Sequence, residues 1–240
     1  MKKLNLLLIA FVILAGTACK KDKTTDEPTP AEKICLVTST TDSDSNTFIY
    51  TFDSQNRIIK NGAYNGPDST ITIYTYTGNK VVMASGIVEQ TYFLNSYGFA
   101  DSVYYIVDGY VDLLIVLTHN SEGLVTSQKV TGTVPQGEVN QIGTFEYLNG
   151  DLVKQTNNDG TTTSTVTLEY YLDKPNKSKR FEEATQFYNS SAHMLKKMTG
   201  DDGSFTSYTY EYDSEGKVTK ETSVDETNTV SYQNFSWSCK

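Results

Sequence analysis

One cadence is written several times along this chain, and it limits the fold more than any other feature. Alternating aromatic or β-branched residues run into a turn rich in Asp, Asn, Ser and Gly. An aliphatic residue and a Lys, Arg or Gln follow. The clearest copy is YTYEYDSEGKVTK at 208–220, and FIYTFDSQNRIIK (48–60), IYTYTGNKVV (73–82), YFLNSYGFADSV (92–103), VLTHNSEGLVTSQ (116–128) and FEYLNGDLVKQ (145–155) repeat it. The turn residues Asn56, Asn79, Gly98, Gly123 and Gly150 recur every 19 to 27 residues or so, the spacing of one strand pair per unit. A longer interval precedes Gly216 and hides one or two further copies, for which TVTLEYYL (165–172) and HMLKKMTGDDGSFTSY (193–208) are the candidates.

Within each copy the period is two. Phe48, Tyr50 and Phe52 share a face opposite Ile49 and Thr51, and Tyr208, Tyr210 and Tyr212 share one opposite Thr209 and Glu211. One face should be aromatic and buried, the other polar and wet. Asn149-Gly150, Asn158-Asp159-Gly160, Asp201-Asp202-Gly203 and Glu215-Gly216 supply the residues that tolerate positive φ in tight hairpins. The expected fold is all-β, an antiparallel meander of roughly fifteen to seventeen strands, more than an open twisted sheet holds without curling. A strongly curved or barrel-like sheet, closed or gaped, meets that count. The alternative is a two-sheet sandwich. The least regular stretch, 173–192, reads as a long connection or lid in which RFEEATQFY could form one or two helical turns.

The first residues carry an address. Lys2 and Lys3, an apolar run from Leu6 to Leu14, the small residues Ala15-Gly16-Thr17-Ala18 and then Cys19 make a bacterial lipoprotein signal, with Gly16 departing from the larger aliphatic usual there. Residues 1–18 are expected to be removed, leaving Cys19 as the lipidated N-terminus. Residues 19–33, polar and interrupted by Pro28 and Pro30, read as a tether, and 34–240 as a single β domain. The formal net charge is −9 at pH 7 and becomes −9 − 2 = −11 when Lys2 and Lys3 leave. That acidity opposes nucleic acid and anionic headgroups as partners. Cys35 and Cys239 remain for a disulfide in an oxidising compartment, one that would tie the first strand to the last if a barrel brings them together; the alternative is two free thiols.

Chemistry is sparsely marked. His119 precedes Asn120 at a predicted hairpin tip. His193 follows Ser190-Ser191-Ala192 and could partner a serine, yet there is no nucleophile-elbow pattern. Asp42, Asp44 and Asn46 alternate as calcium ligands do, with Asp53 twelfth, but Thr47 stands where the loop's glycine is required. Glu182-Glu183 and Asp201-Asp202 suit capping and solvation. No cofactor, metal or catalytic set is expected, and the chain is read as non-enzymatic. Tyr97, Tyr104 and Tyr110 fall at or near turns and are the candidate ligand contacts, since exposed rings can stack on sugars; Trp237 lies in the terminal strand.

YTYEYDSEGKVTK resembles the YD-repeat cadence. Together with a lipoprotein signal leading into CKKDK, the segment YNSSAHMLKKMTGDDG and the closing strand VSYQNFSWSC, it resembles a group of small Bacteroidota lipoproteins carrying a domain of unknown function described as a porin-like β fold. The resemblance runs from about Ile34 to Cys239. It implies a barrel-like antiparallel fold on an envelope lipoprotein and supplies no activity or functional residues. Lys20, Lys21, Asp22 and Lys23 look like signals that send such lipoproteins to the outer face of the outer membrane. The expectation is therefore a surface-exposed outer-membrane lipoprotein that binds a glycan, a small molecule or an envelope protein. A passive structural component is the alternative. An integral channel is disfavoured because its aromatic face would have to meet lipid.

Overall fold

The computed structural model of the chain describes residues 34–107, 109–176, 178 and 190–239. The expected signal segment, Cys19 and the tether lie outside the described residues, as does RFEEATQFY. The described chain forms sixteen strands and no helix. They begin with β1 (Cys35–Asp42), β2 (Thr47–Phe52), β3 (Ile58–Asn65) and β4 (Asp68–Thr77). Next come β5 (Lys80–Ser85), β6 (Val88–Leu94), β7 (Ala100–Val107) and β8 (Val111–His119). The chain continues through β9 (Val125–Val134), β10 (Gly137–Leu148), β11 (Asp151–Asn158) and β12 (Thr163–Pro175). It finishes with β13 (His193–Gly200), β14 (Phe205–Tyr212), β15 (Val218–Asp225) and β16 (Val230–Cys239).

Each strand pairs antiparallel with its chain neighbours, and β1 also pairs with β16, from Cys35↔Cys239 to Asp42↔Gln233. The meander is a closed barrel and leaves no sheet edge unpaired; the sandwich alternative does not hold. A disulfide joins Cys35 to Cys239 across that seam. Strand direction alternates, so the turns after β2, β4, β6, β8, β10, β12 and β14 gather at the end that carries the two cysteines. The segment 173–192 is shorter as a connection than the sequence suggests, because β12 continues through Pro175.

The repeat's turns share one mechanism. Asp42, Asp53, Asn95, Asn120, Asp213 and Asp225 each accept, on Oδ1, the backbone N–H groups two and four residues on. The fourth residue of each turn, Ser45, Asn56, Gly98, Gly123, Gly216 or Asn228, takes positive φ, where Gly and Asn cost least. Asp42 is thereby consumed by its own turn, which also takes the Asn46 Nδ2. Asp53 serves a different turn at the other end of β2. The calcium-like spacing is the spacing of two turns.

These turns give the carboxylates a pH signature. The Lys217 backbone N–H, with further help from the Lys217 ammonium and the Glu215 N–H, holds Asp213 below its ordinary value of 3.8. A folded value below the unfolded one contributes stability that is complete above the unfolded value and is lost as pH falls through the folded one. Asp213→Asn keeps the acceptor that Asn95 and Asn120 use in their own turns. It is expected to leave the fold intact near neutrality and to make acid unfolding, followed by circular dichroism below about pH 4, less steep. An unchanged acid profile would refute the assignment.

Five hairpins at the cysteine end carry a β-bulge just after the turn, on the second strand of β2–β3, β6–β7, β8–β9, β10–β11 and β14–β15. The bulge re-aims the residues beside the turn, and Ile58, Ala100, Val125 and Val218 are buried there. These are the aliphatic or small residues that follow each turn in the repeat. On the β2–β8 side the lumen is filled: Ile58, Tyr74, Val81, Ala100 and Val103 form one cluster, with Tyr50, Phe52, Tyr76, Met83 and Tyr92 packed against it. Burial raises the Tyr74 and Tyr76 phenols to about 12. The period-two reading of faces is seen on β2, where Tyr50 and Phe52 join this core and Ile49 is exposed.

Candidate ligand cavity in the barrel

On the side of β8 to β15 the lumen is not filled. It leaves a cavity of about 530 Å³, within the range of roughly 300–1,000 Å³ common for small-molecule sites, whose walls come from side chains pointing inward on successive strands. Phe145 and Tyr147 on β10, Tyr170 on β12, and Tyr208 and Tyr210 on β14 supply ring surface. Gln128, Gln155 and Glu221 supply polar groups from β9, β11 and β15. Burial first, and the Glu221 carboxylate second, push the Tyr210 phenol far up, so Tyr210 stays neutral and donates to Glu221.

At the cysteine end the cavity meets the β10–β11 hairpin and the last residues before β13. This hairpin departs from the repeat: its turn is the two-residue Asn149-Gly150, and the residue preceding the aliphatic Leu152 is acidic, where other copies have Arg57, Phe99, Leu124 or Lys217. Asp151 is only 2 % exposed. Its Oδ1 accepts the His193 backbone N–H at 2.9 Å and its Oδ2 lies 2.8 Å from His193 Nδ1. A buried carboxylate needs such partners, and the pair fixes the imidazole with Nδ1 toward Asp151.

The two neighbouring serines differ. Ser191 Oγ accepts the Leu152 N–H at 3.2 Å and lies 3.0 Å from the Tyr170 hydroxyl, which donates to the Leu152 carbonyl at 2.9 Å. The Ser191 proton is therefore the one shared with Tyr170, and all three groups are satisfied. Ser190 is 5 % exposed, lines the cavity, and its buried Oγ has no hydrogen-bond partner. With Ser190 unpaired and Ser191 committed to Tyr170 and Leu152, neither serine is bonded to His193 as a nucleophile–base pair requires. The arrangement can hold a polar group of a ligand; it does not assemble a catalytic triad. Among the described residues no group of three or more His, Cys, Asp or Glu is placed to hold a metal ion.

The tyrosines singled out from the sequence are elsewhere. Tyr97 is 73 % exposed in the β6–β7 turn and Tyr110 is 66 % exposed in the β7–β8 turn. Those turns lie at opposite ends of β7, about 25 Å apart for eight strand residues. Tyr104 lies between them on β7, where a hydrogen bond with Asp112 raises its phenol. The three do not converge on one site. His119, expected at a hairpin tip, closes β8 at the Thr118/His119 bulge, largely buried and 3.5 Å from Asp101. Trp237 donates from Nε1 to the Val218 carbonyl at 2.6 Å. Sequence reasoning noticed His193 and Ser190 but missed Asp151; the shortened, acidic hairpin was the available signal.

A closed sixteen-stranded meander barrel with a filled side and an open, aromatic-walled side defines the class of protein. No family model matches the chain, and no curated protein matches it. Solved structures do. A porin-like protein from Bacteroides uniformis ATCC 8492 is similar over 86 % of this chain and 96 % of its own, with a TM-score of 0.64 and 17 % sequence identity. A porin-like protein from Bacteroides vulgatus ATCC 8482 is similar over 84 % of this chain and 98 % of its own, with a TM-score of 0.58 and 13 % identity. At these identities the likeness is one of fold.

Proposed function

We propose that this chain is an outer-membrane-associated, surface-facing lipoprotein, anchored through Cys19, whose barrel stays outside the bilayer and binds a small molecule in its lumen without transforming it. The observation that carries the reading is the 530 Å³ cavity with ring-lined walls and a few convergent polar groups, the ordinary form of a small-molecule site. The porin-like neighbours support an envelope setting. The outward face supports a barrel in water: Lys154 pairs with Glu146, Lys196 with Glu169 and Lys220 with Glu211, all within strands. A Lys on a lipid face costs about 2–4 kcal/mol at the bilayer midplane.

One observation favours an integral channel instead. Ile49, Ile73, Phe93, Leu114 and Val116 are exposed on the outer face of β2, β4, β6 and β8. Ile142, Leu172, Val230 and Tyr232 carry exposed apolar surface on to β10, β12 and β16, but that side also bears the lysine–glutamate pairs, and the lumen behind β2 to β8 is filled. A form lacking residues 1–19 separates the readings. It is expected to be monodisperse without detergent, and the full chain is expected to give no conductance in planar bilayers. Aggregation relieved only by detergent, together with unitary conductance steps, would establish the channel.

A further inference from the structure

We infer that the outer face of β4 to β8 docks a second copy of this chain, the two barrels meeting with their strands antiparallel about a two-fold axis. The inference rests on the reading of the barrel as standing in water. Strand register lays the outward residues of this face out in rows. Ile73, Ala84, Glu89, Ile106 and Asp112 stand side by side in the first. Thr75, Val82, Thr91, Tyr104 and Leu114 make the middle row. Thr77, Lys80, Phe93, Ser102 and Val116 make the third, which Lys129 continues on β9. Ile73, Phe93, Leu114 and Val116 are exposed, and a contiguous apolar face of this kind marks an interaction site. Each outward residue covers about 30 Å² of sheet, so the three rows present roughly 500 Å² per copy and about 1,000 Å² in the pair, where specific association begins.

Charge selects the occupant. Across β4 to β9 the acidic groups of this face, Glu89 and Asp112, sit in the first row, and the basic groups, Lys80 and Lys129, in the third; Lys60 lies at the rim, on β3 beyond Ile73. The first and third rows are separated by about 13 Å along the strands, which keeps Glu89 from Lys80 within one barrel. Among the described residues none of Lys80, Glu89 and Lys129 has an ion-pair partner, whereas Lys154, Lys196 and Lys220 on the other side are paired within the chain. A two-fold axis lying along the middle row turns the first row of one copy onto the third row of the other, each strand facing its own counterpart. Glu89 on β6 then comes beside Lys80 on β5 of the second copy, and Asp112 on β8 beside Lys129 on β9, each offset by one strand spacing of about 4.8 Å. Tyr104 and Leu114, on the axis, face their own counterparts. Opposite charges in rows that the symmetry exchanges are what a self-complementary interface requires; a lipid surface would leave them unmatched.

The full chain in mild detergent is followed by sedimentation velocity over a hundredfold range of concentration, with Leu114→Asp, Lys80→Glu and the double variant Lys80→Glu/Glu89→Lys beside it. These side chains lie on the outer face, and circular dichroism verifies the fold of each variant. A reversible dimer is expected. Leu114→Asp and Lys80→Glu should each weaken it tenfold or more, and the double variant should recover most of the loss, because exchanging the charges restores the pairing between copies. A Leu114→Trp variant in vesicles of brominated phosphatidylcholine, compared with the parent chain that carries only Trp237, should show no added quenching. Monomer at every concentration without added quenching overturns the second copy and leaves the barrel in water. Added quenching places the face against lipid and overturns both the inference and the reading beneath it. A dimer indifferent to Leu114→Asp overturns the choice of face. Loss in Lys80→Glu that the double variant does not recover overturns the antiparallel arrangement.

Discussion

Replacing Cys35 and Cys239 with serine is expected to lower the unfolding free energy by about 5 kcal/mol. The bond spans a sequence separation of 204 residues, so in the unfolded chain it confines nearly the whole barrel to one loop. Its loss restores that loop's freedom to the unfolded state. The folded state still has the β1–β16 ladder, which is interrupted by an irregularity between Val37 and Ser39. Urea unfolding with and without reductant measures the effect. The reduced protein and the double serine variant should show the same lowered midpoint. A midpoint indifferent to reductant would mean that strand pairing alone closes the barrel.

Gly132→Ala is the second large effect, at about 3 kcal/mol. Gly132 lies within β9 opposite Leu113, at φ +144. A Cβ there would stand 2.0 Å from the Asp112 carbonyl oxygen and 2.9 Å from Leu113 Cα. Both obstacles are backbone, so relief requires β8 and β9 to move apart and give up ladder hydrogen bonds. The left-handed backbone adds its own strain to any L-side chain. Gly66→Ala is the control. Its φ is +58 and a Cβ would have nothing within 4 Å, so it should cost about 1 kcal/mol. Equal losses in the two variants would show that φ alone, and not the close approach of β8, makes Gly132 necessary.

Different parts of this molecule were legible to different degrees. The turns could be read almost completely, because an Asp or Asn that caps the N–H groups two and four residues on is a local interaction, written in five consecutive residues such as Asp213 to Lys217. The inward face was legible for the same reason: alternation along β2 or β14 is a property of one strand. His119 obeys the same alternation: as the last residue of β8 it falls on the inward side with Ile115 and Leu117, so it is largely buried although it borders the Asn120 turn. The tyrosine candidates were chosen for nearness to turns, and turns at the two ends of a barrel are far apart however close they are in sequence.

The cavity belongs to the second kind of information. Asp151, Ser190 and His193 come from a hairpin and a connection about forty residues apart, brought together by the pairing of β11 with β12 and of β12 with β13. Nothing in the local pattern distinguishes Tyr76, which fills the lumen, from Tyr210, which borders a space: both sit at inward positions of aromatic strands. The sequence by itself determined the strands, their faces and their turns, since those follow from side-chain period and short-range hydrogen bonding. Closure of β1 on β16, and which part of the lumen stays open, were decided only by the tertiary structure, because packing across a barrel depends on which inward side chains face one another and not on the order in which they are written.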